Sequence, residues 1–204
     1  MPVKPAGLIL AGGLSRRMGG GDKALLPLAG KPMLAHVIAA LEPQACPLAV
    51  NANGDPSRFA AFGLPVVPDT IEGFAGPLAG ILAGLDWCAR LEPAPSCLVT
   101  VPADTPFLPH DLAASLAAAA SPGAPCVAVS GGRVHPVAAL WPVAMRDDIA
   151  AFLSQPDNRS VMVFLRSHAF TTADFPCPEG CDPFANVNTP EDLARAEHRL
   201  AGCD

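Results

Sequence analysis

A chain of 204 residues, half of them apolar and 16% charged, is long enough to bury a core and too hydrophobic for widespread disorder. Its net charge of −6, with no cationic run beyond Arg16-Arg17, argues against nucleic acid as a partner, because an acidic surface repels a polyanion. The seven cysteines are irregularly spaced, the five histidines show no metal-ligand spacing, and no apolar run approaches a membrane span. The N-terminal apolar run breaks at Gly12-Gly13, so no signal pattern is present. Reduced thiols and a cytoplasmic location, away from any membrane, are the expectation.

In chain order, short apolar runs alternate with longer helical stretches. Strands are predicted at 7–11, 47–52, 65–67, 97–101 and 125–129, and helices at 32–41, 56–62, 77–91 and 109–120. Proline stands at or near the first turn of several helices, where its missing N–H costs nothing. Gly131-Gly132 reads as a hairpin turn into an antiparallel run at 134–141. Helices follow near 143–153 and 160–167, then an apolar piece at 184–187, and a last helix capped by Asn188 or Thr189. The fold class expected is α/β: a Rossmann-like, mostly parallel sheet with helices on both faces and a small antiparallel insertion. With no repeat and no linker, residues 1–204 read as a single domain.

In open sheets of this kind, ligands gather beyond the carboxyl ends of the strands. The first strand runs into a stretch from Gly12 to Lys23 holding five glycines, Arg16, Arg17 and Lys23. Glycine lets backbone N–H groups wrap phosphates at close range, and the cations supply counter-charge, which points to a nucleoside triphosphate. The stretch is neither a dinucleotide fingerprint nor a Walker loop. It has no Gly-x-Gly-x-x-Gly, and its only Gly-Lys pair, Gly30-Lys31, has Leu25 in place of the leading glycine. The other strands end in Asn51-Ala52-Asn53, Pro68-Asp69 and Pro102-Ala103-Asp104-Thr105-Pro106, so four strand tips converge on one crevice.

The string Leu10-x-Gly12-Gly13-x-Ser15-x-Arg17-Met18-Gly19-x-x-x-Lys23 resembles the signature of the molybdopterin nucleotidyltransferases, most closely the molybdenum cofactor guanylyltransferases. Lys31-Pro32, Asn51-Ala52-Asn53, Asp69, Gly76-Pro77-Leu78-Ala79-Gly80, Asp104-Thr105-Pro106 and Asn186-Val187-Asn188-Thr189-Pro190 match in the same order. The resemblance implies transfer of GMP from GTP to the phosphate of molybdopterin or of the molybdenum cofactor, with cofactor-insertion proteins as further partners. It implies nucleotide contacts from Leu10, Ala11, Gly12, Gly13, Arg16, Lys23, Asn51, Asp69 and Asp104. Asp104 is suited to hold Mg2+, while Lys23 and Arg17, with Arg16 as the alternative, would neutralise the leaving pyrophosphate. His135, Arg159, Asn186 and Asn188 fall at positions on the pterin side. Ser160 departs from the family, where a second basic residue is common, which weakens an anion contact there.

The related cytidylyltransferases usually read Leu-Ala-Ala-Gly at the first motif and carry Met or Gln after the metal aspartate. This chain has Leu10-Ala11-Gly12-Gly13 and Thr105, on the guanine side at both positions. Two other readings stay open from the sequence alone: CTP:molybdopterin cytidylyl transfer, and a non-catalytic nucleotide-binding module of the same fold. Three smaller choices also stay open. The 76–80 segment either faces the ligand or lets a helix lie close to the sheet, Asn51 and Asn188 are either ligand contacts or caps, and Asp69 either accepts from guanine or lies near the metal.

Overall fold

The apolar runs read as strands lie side by side in one seven-stranded sheet. The computed structural model describes residues 4–12, 22–71, 76–155, 160–178 and 181–202. In chain order the elements are β1 (Ala6–Leu10), β2 (Pro27–Leu28), β3 (Lys31–Pro32), α1 (Met33–Leu41), β4 (Leu48–Asn51), β5 (Val66–Val67), α2 (Pro77–Cys88) and β6 (Cys97–Pro102). There follow α3 (Leu112–Ala119), β7 (Cys126–Ser130), β8 (Arg133–Pro142), α4 (Arg146–Leu153), α5 (Val161–Ser167), β9 (Thr171–Phe175) and α6 (Pro190–Ala201). The sheet order is β5-β4-β1-β6-β8-β7-β9. Only β8 is reversed: it pairs antiparallel with β6 and β7, whereas the remaining pairs are parallel.

Burial on both faces explains why the strands read as continuous apolar runs rather than alternating ones. Leu8, Ala49, Leu98, Val127 and Ala139 point to the side covered by α2, α4 and α5. Their neighbours Ile9, Val50, Val99, Ala128 and Leu140 point to the side covered by α1 and α3. Helix α2 lies especially close to the sheet. A Cβ at Gly84 would come within 2.5 Å of Leu8 and 2.8 Å of Leu98, and one at Gly80 within 2.6 Å of Leu10. The small residues of α2 are therefore what allow this approach.

The structure departs from the sequence reading at several elements. Pro56–Phe62 forms a 3-10 helix, capped by Asp55 and stopped by Gly63 in the left-handed region; Phe59 is its only buried residue, too little to seat an amphipathic α-helix. Helix α2 ends at Cys88 rather than 91, and α3 begins at Leu112 rather than 109. The apolar piece at 184–187 joins no sheet; Val187 N–H donates to Asp104 O at 2.9 Å, which lashes the segment to the tip of β6. The edge strand β9 goes unpredicted by the sequence, since Thr171–Phe175 alternates exposed and buried positions over only five residues. The small β2–β3 hairpin goes unpredicted too. Its Leu28, with Met33, packs on Val187 and Ala196 in a separate cluster that seats α6. Gly131 and Gly132, at φ 53° and 76°, make the predicted hairpin turn between β7 and β8.

Candidate active site

β5, β4, β1 and β6 end along one edge, with Leu10 level with Asn51 and Pro102, and Asn51 level with Val67. The ladder continues past the strands: Ala11 N–H donates to Asn51 O at 2.9 Å, and Ala103 N–H to Leu10 O at 3.0 Å. These bonds hold the tips in fixed relation beneath a cleft of about 420 Å³. Leu10, Ala11, Gly12, Lys23, Asn51, Asp69, Asp104, His135 and Asn186 all line it.

Lys23 stands at the centre. Its ammonium donates to Asp104 Oδ2 and to Asn188 Oδ1, so the end of the glycine-rich stretch, the tip of β6 and the segment leading into α6 meet at one nitrogen. The Lys23 and Asp104 side chains are only 12% and 19% exposed. Asp104 Oδ1 is buried and has no hydrogen-bond partner among the described residues. A buried carboxylate oxygen left unpaired is costly, and a hard divalent cation is a fitting occupant for it. Among the described residues no group of three or more His, Cys, Asp or Glu side chains could form an all-protein metal cage. The donor set therefore fits Mg2+, which is commonly held by one or two carboxylates together with substrate phosphates.

A second cluster forms the floor beneath β4 and β5. Asn51, buried at the end of β4, donates through Nδ2 to Val67 O at 3.0 Å and to Asp69 Oδ1 at 2.9 Å. Asn53 Nδ2 donates to Asp69 Oδ2 at 2.8 Å, and Asp69 N–H returns a bond to Asn53 Oδ1 at 2.8 Å. Asn51 is thus a strand-end residue, and both Asp69 oxygens are already held by amides. The close approach of α2 presses this cluster into place, since a Cβ at Gly80 would fall 2.3 Å from Asn51 Oδ1. Gly76 and Pro77 line the cleft at the start of α2, and Gly80 lets that helix lie close to the sheet. A Cβ at Gly12 would meet nothing within 4 Å among the described residues, so none of them covers that backbone where it lines the cleft. At the rim, Arg58 pairs with Asp22 and donates to Asn53 O, tying Lys23's neighbour to the same floor.

The opposite wall comes from the reversed strand. The pairing of β7 with β8 shifts register between Val127 and Ala128, so Val127 lies opposite Ala139 but Ala128 opposite His135. Residues 136–138 bulge out, consistent with Pro136 having no N–H for a ladder. The buried Thr100 hydroxyl anchors the bulge, donating to Val137 O at 2.7 Å and accepting from Trp141 Nε1 at 2.9 Å. His135 is thereby turned into the cleft, its ring 4.7 Å from that of Phe184. Burial pushes its pKa below the ordinary histidine value; Asp182 opposes that shift and Arg133 adds to it. Asn186 accepts from Thr105 Oγ1 at 3.3 Å, beside Asp104.

Of the residues selected from sequence, Leu10, Ala11, Gly12, Lys23, Asn51, Asp69, Asp104, His135 and Asn186 share the cleft, and Asn188 reaches it through Lys23. Thr189, not Asn188, caps α6, in a reciprocal capping box with Asp192. Gly13, Arg16, Arg17 and Arg159 lie outside the described residues. Arg133, Ser130, Asp182 and Phe184 were missed as site residues. For Arg133 the signal was present, since residues two apart on a strand share a face and His135 had already been selected.

The architecture defines a nucleotidyltransferase fold. It matches the crystal structure of molybdopterin-guanine dinucleotide biosynthesis protein A from Archaeoglobus fulgidus over 97% of this chain and 99% of that one, with a TM-score of 0.73 and 21% identity. The model of the MobA-like NTP transferase domain matches residues 7–170. A molybdenum cofactor guanylyltransferase of Bradyrhizobium sp. (strain ORS 278) is 55% identical over 97% of this chain and 93% of that protein. One from Mesorhizobium japonicum is 52% identical over 96% and 95%. The chain belongs to the MobA-like NTP transferase family, alongside the molybdenum cofactor guanylyltransferases.

Proposed function

We propose that this protein transfers GMP from GTP to the phosphate of molybdopterin, with or without its molybdenum, forming the guanine dinucleotide and pyrophosphate. Kinship with guanylyltransferases at 55% and 52% identity supports the activity. The observation that carries the chemistry is the Lys23–Asp104 pair with its unpartnered carboxylate oxygen, at the edge where four strand tips meet. An oxygen of the acceptor phosphate attacks the α-phosphorus of GTP, and the bond from that phosphorus to the bridging oxygen of the β-phosphate breaks. Both partners are anions, so the barrier is largely electrostatic and rewards positioned positive charge.

Lys23 is held in place by Asp104 and Asn188, so its ammonium needs little reorganisation to neutralise the leaving pyrophosphate. Arg16 and Arg17 add charge from the same glycine-rich stretch, around phosphates wrapped by Leu10, Ala11, Gly12 and Gly13. Asp104 would hold Mg2+, which when bound supplies further positive charge to the triphosphate oxygens. The Asn51–Asp69 cluster and the bare backbone at Gly12 read the guanine edge. His135, Arg159, Asn186 and Asn188 take the pterin side. This machinery is assigned to one domain in the cytosol, where cofactor-insertion proteins would receive the product. The described cysteines are free thiols, which suits that compartment, and no described helix is long and apolar enough to cross a membrane.

The test is a mass-spectrometric assay of purified protein with molybdopterin, Mg2+ and either GTP or CTP. Guanine dinucleotide and pyrophosphate from GTP are expected. Product from CTP alone would overturn the nucleotide assignment, and no product from either would overturn the catalytic reading.

A further inference from the structure

Behind the acceptor wall, a chain of three side chains decides which nitrogen of His135 carries the proton. Ser130, buried at the end of β7, places its Oγ 2.7 Å from His135 Nε2 and 2.7 Å from Asp182 Oδ1. A carboxylate only accepts, and a hydroxyl carries one proton, so that proton goes to Asp182. Ser130 Oγ must then accept from His135, which requires the proton on Nε2. Asp182 is itself fixed: its Oδ1 also accepts from Phe184 N–H at 2.9 Å, and its carbonyl accepts from Arg199 of α6 at 2.9 Å. His135 Nδ1 makes no hydrogen bond among the described residues. The direction of the His135 pKa shift, set by burial, favours the neutral ring in which that nitrogen keeps its lone pair.

We propose that Asp182 and Ser130 are positioning residues that lock His135 as the Nε2–H tautomer, so that its Nδ1 presents a hydrogen-bond acceptor to an N–H donor of the pterin ring. The pterin rests on the function proposed above; the locked tautomer does not. Phe184, itself buried and packed on Phe175, backs the imidazole and fixes its ring plane. Arg133, two residues earlier on the same face of β8, lines the same wall and has no ion pair among the described residues. The wall therefore pairs one acceptor with one free cation. A ring bearing N–H donors and a phosphate fits that combination, whereas a carboxylate facing Nδ1 would not.

Two measurements on the full chain test this. Long-range 1H–15N NMR of the histidines should show a pyridine-type Nδ1 and a pyrrole-type Nε2 for His135. Ser130→Ala should let the second tautomer appear. A pyrrole-type Nδ1 in the unaltered protein, or an unchanged spectrum in Ser130→Ala, would overturn the relay whatever the reaction is. The second measurement is direct titration of molybdopterin, read as binding rather than turnover. His135→Gln keeps an amide donor near Nε2 but lacks the Nδ1 acceptor, and should weaken binding about tenfold, the loss of one hydrogen bond. His135→Asn places its oxygen near Nδ1 and should bind more tightly than the Gln variant, with GTP affinity unmoved in both. Equal molybdopterin affinity in the unaltered protein and His135→Gln, or no molybdopterin binding at all, would overturn the recognition role. Intact binding without transfer would count against the proposed reaction and leave the relay standing.

Discussion

Lys23 and Asp104 stand 81 residues apart in the chain and share an ion pair in the cleft. A third partner, Asn188, reaches the same ammonium from 165 residues away. The site's charge is thus assembled from both ends of the chain and its middle, and each contact is absent until the sheet has formed.

Removing the Asp104 carboxylate should separate catalysis from folding. Asp104→Asn preserves shape and the backbone link from Val187, but not the charge. Turnover should fall by about two orders of magnitude or more, while circular dichroism and the unfolding transition show a folded protein. Product formation at the original rate would remove Asp104 from the mechanism.

Gly80 and Gly84 predict a contrast within one helix. Alanine at either forces a Cβ into atoms 2.3–2.8 Å away and should cost about 1–3 kcal/mol of stability by denaturant unfolding. Only Gly80 presses on Asn51 and Leu10, both of which line the cleft. GTP affinity should therefore fall in Gly80→Ala and hold in Gly84→Ala. Equal effects on GTP in the two variants would break the link between α2 packing and the nucleotide.

Gly12→Ala tests the base assignment without disturbing the fold. The added methyl meets nothing within 4 Å among the described residues, so stability should change by less than about 0.5 kcal/mol. If that bare backbone receives the purine edge, GTP affinity drops about tenfold, with a smaller change for CTP. Thermal shift with each nucleotide reads both numbers, and a loss shared equally by GTP and CTP would contradict the assignment.

The half-buried His135 gives the fold a defined response to acid. In the unfolded chain this histidine titrates near the ordinary value of 6.5, and in the folded protein lower, chiefly through burial, with Asp182 opposing and Arg133 reinforcing. The unfolded state therefore takes up the proton first. His135 costs nothing above about pH 6.5. Its neutral, buried form loses stability as pH falls below that, until the folded pKa is passed. Urea unfolding against pH should show this decline relative to His135→Gln, and parallel curves for the two proteins would refute it.

The nucleotide half of the cleft was legible because parallel strands buried on both faces leave apolar runs such as Gly7–Leu8–Ile9, each ending in polar tips. Lys23, Asn51, Asp69 and Asp104 all sit at such tips or beside them. On the opposite wall the family resemblance alone marks His135, Asn186 and Asn188, and the setting of that wall stays hidden for three local reasons. A bulge at 136–138 turns His135 by a register shift that no periodicity announces. Ser130 reads as one more strand residue, and its role depends on Asp182, 52 positions later. The edge strand β9 is short and half-exposed, so it lacks the apolar signal that marked the others.

The reversal of β8 has a consequence for how such a molecule can change over time. Because that strand runs against its neighbours, its opening residues, not its closing ones, arrive at the cleft. Rewriting a short stretch just after the Gly131-Gly132 turn would alter what one wall greets, while the rest of the hollow, laid by the parallel strands, stays as it was.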